Sequence, residues 1–258
     1  MKKTKFAVLF TALIAMLGLS SCLGDPDPFV TNTQIMKVAN GYPPYVVFED
    51  AFGTKLVPSN QEVFSTGIDS KFSIVQYKYD TRTADAASKE ISAEILGYAT
   101  IASIGPGYEG VENNAPMLEN TYGDAQYSFF DKNSLFLSLA YYYKEGSGNE
   151  AQSDLKKHHF YLKEGEPKEG EVGNENTLYL DLIHNVGDPE NNKDRSKIWS
   201  EVRYFDLSSV LYSFGKTPET IKIRYKVLKY GSEEQELVDA TNPIEIKYKQ
   251  LFPDTPQQ

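Results

Sequence analysis

The apolar and polar residues of this chain alternate in short runs that turn residues separate. Residues 45–49 are mostly apolar, residues 54–57 are similar in pattern, and Gly53 lies in the turn between the two runs. Pro58 ends the second run. This arrangement predicts a β-hairpin.

A long strand is predicted later in the first half. Residues 71–79 alternate loosely, and residues 91–104 carry isoleucine and alanine on one parity, with Gly97 within the run. A glycine inside so long a strand allows a bulge or a bend. The pattern therefore favours a small, strongly curved barrel over a flat sheet.

The second half alternates more regularly. Four runs place apolar residues on one face: Leu135, Leu137, Leu139, Tyr141 and Tyr143; Leu178, Leu180, Leu182 and His184; Ile221, Ile223, Tyr225 and Val227; Ile244, Ile246 and Tyr248. Period-two alternation is typical of antiparallel sheets that face water on one side, and the spacing of the runs predicts a sandwich. Residues 206–209 predict the start of a short helix that ends at Gly215.

These runs predict an all-β protein. Between residues 104 and 127 the composition shifts to Gly, Pro and Asn, which places a domain boundary there. The predicted segments are a signal peptide at 1–21, a tether at 22–33, a barrel at 34–105, a linker at 106–126, an antiparallel β-sandwich at 127–250 and a tail at 251–258.

The N-terminal residues have the pattern of an export signal. Three lysines within the first five residues precede the apolar residues 6–19, a stretch shorter than the roughly 20 residues that a membrane-spanning helix needs. Leu19-Ser20-Ser21-Cys22 resembles a bacterial lipobox, and Cys22 is the only cysteine of the chain. We therefore predict cleavage before Cys22 and acylation of Cys22 with fatty acids such as palmitate, rather than a free thiol or an intermolecular disulfide.

The charge balance limits the possible partners. The chain carries 36 acidic and 26 basic residues, a formal net charge of −10. We therefore expect no nucleic-acid partner, because binding to phosphates requires a basic face. Anionic headgroups repel such a chain as well, so attachment to a membrane has to come from the acyl chains. Asp25 and Asp27 lie in the tether and favour the outer membrane; both the periplasmic and the cell-surface face stay open.

Several segments together resemble one family of envelope proteins. They are the lipobox, Tyr45-Val46-Val47-Phe48-Glu49-Asp50 with Gly53-Thr54-Lys55-Leu56, His159-Phe160-Tyr161-Leu162, Leu180-Asp181-Leu182-Ile183-His184-Asn185 and Tyr204-Phe205-Asp206-Leu207-Ser208. This combination is similar to the NigD-like lipoproteins. The resemblance implies an N-terminal OB-like barrel followed by a β-sandwich, and an immunity or processing role near a bacteriocin locus. It implies no catalytic or ligand-binding residues.

The three histidines offer little for catalysis. His158 and His159 point to opposite faces if they lie on a strand, so they cannot chelate one ion together without a bulge. His184 follows three inward leucines. We expect a hydrogen-bonded imidazole at the edge of the core, with metal ligation as the less favoured alternative.

An oxygen-rich loop at residues 188–194 is the best metal candidate. Asp188, Glu190 and Asp194 could supply ligands for a hard cation such as calcium. The loop lacks the EF-hand glycine and the distal glutamate, and Lys193 lies among the ligands. A solvated acidic loop is therefore the favoured interpretation, and we predict no metal and no cofactor.

The aromatic residues suggest binding. Tyr141 and Tyr143 share a face with core leucines, which leaves Tyr142 and Trp199 as exposed candidates for contact with a sugar ring or a protein. The chain has no Gly-x-Ser-x-Gly motif and no phosphate-binding glycine loop.

The leading hypothesis is a non-enzymatic, lipid-anchored envelope protein that binds a protein or a glycan. The first alternative is a bacteriocin immunity lipoprotein, as the resemblance implies. The second is a hydrolase that uses the loop carboxylates Asp188, Glu190 and Asp194.

Overall fold

A computed structural model describes residues 27–83, 89–119, 126–146, 149–168, 175–229 and 236–253. The predicted signal peptide, Cys22 and the first part of the tether lie outside the described residues. Within the described part of the chain the fold is all-β, as predicted. In the same part, no helix is long and apolar enough to cross a membrane.

The first half of the chain forms a closed barrel. Its five strands are β1 (Phe29–Asn40), β2 (Val47–Glu49), β3 (Lys55–Pro58), β4 (Phe72–Asp80) and β5 (Glu90–Ile101). They close in the order β1-β2-β3-β5-β4, with β3 parallel to β5 and the other pairs antiparallel. This small barrel confirms the predicted OB-like fold class, and the β2–β3 pair confirms the predicted hairpin.

The curvature of the barrel comes from a bulge in its longest hairpin. The register between β4 and β5 shifts where Gln76 faces Gly97 and Tyr77 faces Ile95, so Leu96 is the extra residue. Ala93 and Ile95 of β5 are buried before the bulge, and Ile101 is buried after it. The bulge that Gly97 predicted within this long strand is thus confirmed.

The second half forms a sandwich of two main sheets. One sheet has the order β15-β12-β10-β9-β6 and the other β11-β8-β7. The strands are β6 (Gly105–Pro106), β7 (Tyr127–Phe129), β8 (Ser134–Tyr143), β9 (His158–Glu164), β10 (Thr177–Val186), β11 (Lys197–Asp206), β12 (Thr220–Arg224) and β15 (Ile244–Ile246), with a side hairpin of β13 (Lys226–Leu228) and β14 (Leu237–Asp239). Most pairs are antiparallel, but β10 and β12 run parallel, as do β6 and β9.

Short helical segments close the sandwich. They are α1 (Asn149–Leu155), α2 (Ser208–Phe214), α3 (Tyr248–Leu251) and a 3₁₀ turn at Pro189–Asp194. The helix predicted after Asp206 is confirmed as α2. It ends at Gly215, which has a left-handed backbone conformation with φ of 76°.

Most of the predicted inward residues form the sandwich core. Leu135, Leu137, Leu139 and Tyr141 from β8 pack with Leu178, Leu180 and Leu182 from β10, and with Ile221, Ile223, Ile244 and Ile246 from the neighbouring strands. Burial of these side chains supplies the main stabilising free energy of this half.

Part of the predicted linker 106–126 contacts the sandwich. Ala115 and Met117 are buried, and the main chain of Met117 lies beside Tyr141 and Val227. Pro106 pairs with β9. The division into two domains at this segment stays a prediction.

A separate apolar cluster joins the barrel to the sandwich. Phe72 and Ile101 from the barrel pack against Phe136 and Tyr204 from the sheet of β8 and β11. The ring centroids of Phe72 and Phe136 are 5.0 Å apart, and those of Phe72 and Tyr204 are 4.8 Å apart. Lys71 Nζ also donates a hydrogen bond of 2.7 Å to the Tyr204 hydroxyl. These contacts fix the barrel against the outer face of the sheet.

We expect Phe136→Ala to lower the free energy of unfolding by about 3–5 kcal/mol, because it removes a fully buried ring from this cluster. Phe52→Ala is the matched control because Phe52 is 82% exposed. Urea unfolding of both variants measures the difference. Equal destabilisation by the two substitutions would contradict a stabilising interface.

Candidate functional site

The residues singled out in the sequence gather at one end of the sandwich. There β8 ends and β11 begins, α1 leads into β9, and the 3₁₀ turn follows β10. Tyr142, Trp199, His158 and the loop carboxylates all lie on these segments. The feature that organises this end is a buried cation, Arg195.

Arg195 lies just before β11, and its side chain is only 2% exposed. Its guanidinium donates to both carboxylate oxygens of Asp154, at 2.9 and 3.3 Å. It also donates to Asp188 Oδ1 at 2.5 Å and to Asn192 Oδ1 at 2.8 Å. Burial alone raises the pKa of Asp154, but the hydrogen bonds from Arg195 and from the Lys144 amide outweigh it and hold the pKa below its usual range.

The loop carboxylates do not converge on a common point. Asp188 pairs with Arg195 and with Lys157 at 2.5 Å, whereas Asp194 pairs with Lys144 at 3.0 Å. Glu190 is exposed. In the described residues, no group of three His, Cys, Asp or Glu side chains is placed to hold a metal ion. Two of the three candidate ligands are instead used in ion pairs that hold the loop.

Two buried histidines form a hydrogen-bonded pair behind Arg195. His184 Nδ1 lies 3.0 Å from the Pro116 carbonyl oxygen, so Nδ1 carries the proton and donates it. His184 Nε2 then accepts from His158 Nδ1 at 2.8 Å. The remaining nitrogen of His158 lies 3.5 Å from Asp154 Oδ2. The next residue, His159, points to the exposed face of β9.

Both buried imidazoles are neutral at neutral pH. Burial, reinforced by the charge of Arg195, lowers the pKa of His158 to about 4. Burial and the neighbouring His158 lower the pKa of His184 to about 3. The ring of His184 also stacks on Phe160, with centroids 4.5 Å apart. The pair is thus a packed part of the core, as expected for His184.

Tyr141 lies beside the histidines and belongs to a second polar group, which also contains Glu201 and Arg203. Its hydroxyl donates to Glu201 Oε1 at 2.7 Å, and Arg203 donates to the same oxygen at 2.7 Å. Burial, together with the charge of Glu201, raises the pKa of Tyr141. Arg203 lies over the Phe160 ring, with its Cζ atom 5.3 Å from the centroid. This group neutralises a carboxylate that β11 points toward the sandwich interior.

Tyr142 and Trp199 do not form one surface. Trp199 is directly opposite Tyr141 in the β8–β11 pair, and Tyr142 is opposite Ile198. Because opposite residues share a face and successive residues alternate, Trp199 and Tyr142 lie on different faces of the sheet. Trp199 is 40% exposed and contacts the edge of Tyr143, whereas Tyr142 is half-buried.

The barrel carries a group of exposed apolar side chains that the sequence patterns did not indicate. We call it the barrel-end surface: Tyr42, Tyr45, Val63, Leu96 and Tyr98. Tyr42 and Tyr45 are 77% and 72% exposed. Both tyrosines lie in the loop between β1 and β2, where they flank Pro43 and Pro44. Their place beside two prolines was the sequence signal for this exposure. A tyrosine in a proline-containing turn is not part of an alternating strand pattern that would place it in a core.

Two amide side chains hold this surface together. Gln61 exchanges two hydrogen bonds of 2.9 Å with the main chain of Val46, which joins the loop of the tyrosines to the 3₁₀ turn Gln61–Val63. Asn60 exchanges hydrogen bonds of 2.9 and 2.8 Å with the main chain of Ile95, beside the bulged Leu96. Phe64 contacts Tyr98 with centroids 5.1 Å apart. The exposed apolar side chains therefore stand on a fixed scaffold.

Comparison with solved structures supports the fold. The chain is similar to a "putative lipoprotein" of Bacteroides fragilis, with 23% identity and a TM-score of 0.64 over 85% of this chain and 98% of that one. A "toxin related protein" of Parabacteroides distasonis matches with 14% identity and a TM-score of 0.49, over 86% and 96% of the two chains. A NigD-like immunity protein of Bacteroides caccae matches with 13% identity and a TM-score of 0.43, over 84% and 96%.

No protein-family model matches the chain, and no curated protein matches it in sequence. The Bacteroides fragilis structure establishes that both halves of the chain belong to one known overall fold. The structures found also include a member of the NigD-like group that the sequence motifs resemble.

The histidine pair predicts a loss of stability in acid. Because folding lowers both imidazole pKa values below their unfolded value of about 6.5, the unfolded chain binds more protons below that pH. The stabilisation is complete above pH 6.5 and is lost as the pH falls toward 4. Between pH 7.5 and 5.0 we expect each imidazole to contribute a loss of about 2 kcal/mol.

Urea unfolding at several pH values measures this loss. We expect His184→Gln to reduce the dependence of unfolding free energy on pH, whereas His159→Gln, which changes the adjacent exposed ring, leaves it unchanged. A pH dependence that is the same in all three proteins would refute the buried neutral pair.

Proposed function

We propose that this chain is a lipid-anchored protein of the cell envelope that binds a partner without catalysing a reaction, and that the barrel-end surface is its binding site. The observation that carries the proposal is the group of exposed tyrosine, leucine and valine side chains held by Asn60 and Gln61. Exposed apolar side chains that are grouped on a folded domain mark interaction surfaces.

The position of this surface fits an anchored protein. The chain enters the barrel at Phe29, and Thr81 holds the preceding residue through hydrogen bonds to the Pro28 carbonyl oxygen. The barrel-end loop begins beyond Asn40, at the other end of β1. A strand of this length spans up to about 40 Å. Acyl chains on Cys22 would thus leave the tyrosines at the end of the barrel away from the tether.

The composition of the surface favours a protein ligand. Tyrosine rings can stack on sugars, and the loop between the first two strands of OB-like barrels binds oligosaccharides in other proteins. The aliphatic Val63 and Leu96 add contact area of the kind found at protein interfaces. The immunity role that the NigD-like resemblance implies is one form of such a protein interaction.

The carboxylates of the hydrolase alternative are less suited to catalysis. Asp188 is held by two cations and Asp194 by one. A carboxylate fixed in an ion pair is a poor general base toward a substrate. This arrangement supports binding over hydrolysis.

Site-specific photo-crosslinking tests the binding surface. We expect a benzophenone side chain at position 45 to give a discrete adduct in intact cells, because a bound protein would cover that position. The matched control is position 212, since Tyr212 is 90% exposed but lies on α2 of the sandwich. Equal labelling from both positions, or none from position 45, would reject a protein ligand at this surface. Binding to a glycan array that Tyr42→Ala and Tyr45→Ala abolish would assign a glycan instead.

The anchor is tested separately with Cys22→Ala. We expect this variant to lose incorporation of labelled palmitate, because Cys22 is the only cysteine to which fatty acids can be attached. Fluorography of cells grown with labelled palmitate measures the loss. Equal labelling of the variant and the wild-type chain would contradict the lipobox assignment.

A further inference from the structure

Among the described residues, one strand of the sandwich, β11, has an edge that is open over part of its length. β8 pairs with one side of β11 over all ten residues from Lys197 to Asp206, without a register shift. On the other side, Tyr204 N donates to the Ala102 carbonyl at 3.0 Å, and Ile104 N donates to the Tyr204 carbonyl at 2.6 Å. In the described part of the chain, no strand pairs with this side between Lys197 and Val202.

The unpaired main-chain groups can be identified from this register. The N–H and C=O groups of Tyr204 point away from β8, toward residues 102–104. Because this direction alternates along an antiparallel strand, the groups of Val202, Ser200 and Ile198 point the same way. Six donors and acceptors therefore continue the row that Tyr204 begins.

The side chains leave this edge accessible. Ile198 is 60% exposed, Trp199 is 40% exposed and Ser200 is exposed. Proteins often protect edges with proline, a bulge or an inward-pointing charge, and this segment has no proline or bulge. Its inward charge, Glu201, already accepts from Tyr141 and Arg203, so it does not repel an added strand.

We propose that the edge from Lys197 to Val202 binds an extended segment of a partner protein as an additional β-strand. Main-chain hydrogen bonds to Ile198, Ser200 and Val202 would supply affinity, and contacts with Ile198 on one face and Trp199 on the other would supply specificity. The edge and the barrel-end surface are separate sites, so this inference does not rest on the function proposed for that surface.

Two observations favour a peptide segment over a second copy of the chain. The pairing continues a contact that a short extended segment, residues 102–104, already makes with β11. A strand of six residues spans about 20 Å, and pairing over that length buries less than the roughly 1,200 Å² typical of stable protein interfaces. A flexible segment needs no larger complementary surface.

Selection from a displayed library of random 12-residue peptides tests the edge on the full-length chain in detergent. Ser200→Pro removes one outward N–H group that no strand of the described residues uses, whereas the control Ser200→Thr keeps it. We expect selected peptides to bind the wild-type chain and Ser200→Thr equally and to bind Ser200→Pro at least tenfold more weakly. Circular dichroism and melting curves confirm that both variants are folded.

A second measurement does not depend on the two Ser200 variants. N-methylation of successive amides in a selected peptide is expected to weaken binding at every second position, because a paired strand directs alternate N–H groups toward β11. Tyr42→Ala should leave this binding unchanged, which separates the edge from the barrel-end surface.

The proposal would be overturned by a failure to select any peptide, by equal binding to Ser200→Pro in folded protein, or by a methylation scan without alternation. Concentration-dependent self-association that Ser200→Pro abolishes would assign the edge to a second copy, and would also overturn it.

Discussion

The burial of Arg195 is the constraint on which one end of the sandwich depends. A guanidinium inside a protein is tolerated only when its donors are used, and here Asp154, Asp188 and Asn192 use them. These partners come from α1, from the residue before the 3₁₀ turn and from the turn itself. One cation therefore joins α1, which lies between β8 and β9, to the turn between β10 and β11.

This constraint explains why polar residues that resemble a reactive site are structural. Asp188 and Asp194 balance neighbouring cations, and the two histidines satisfy each other and the Pro116 carbonyl. The guanidinium of Arg195 and the carboxylates of Asp154, Asp188 and Asp194 have partners inside the protein, which leaves them little capacity for a substrate. The arrangement gives the end of the sandwich a single geometry and leaves ligand contact to the surfaces beside it.

Those surfaces have a common physical origin. Tyr42 and Tyr45 are exposed in a loop that Gln61 joins, through the main chain of Val46, to the 3₁₀ turn Gln61–Val63. Ile198 and Trp199 are exposed because β11 is an edge strand and the segment 102–104 covers only its later half. In both places apolar groups are held by rigid neighbours rather than by a core, so a partner would meet a preorganised surface and lose little conformational freedom in it.

The sequence by itself determined the β2–β3 hairpin, the long strands of the barrel hairpin β4–β5 and the inward faces of four runs in the sandwich. Period-two alternation acts locally, and residues such as Leu135, Leu137 and Leu139 have only one face that can be buried. It also indicated the bulge near Gly97 and the helix that ends at Gly215. These features depend on neighbours in the chain, so local patterns were sufficient to predict them.

Only the tertiary structure decided which distant residues meet. Arg195 joins Asp154 across 41 positions, and Lys71 joins Tyr204 across 133. The sequence suggested Tyr142 and Trp199 as exposed candidates for ligand contact, and the register of β8 and β11 places them on opposite faces of the sheet. Likewise, whether Ile198 borders a neighbouring strand or solvent depends on the order of strands in the sheet. Long-range pairing is set by the competition of all strands for partners, and no local pattern of residues contains that information.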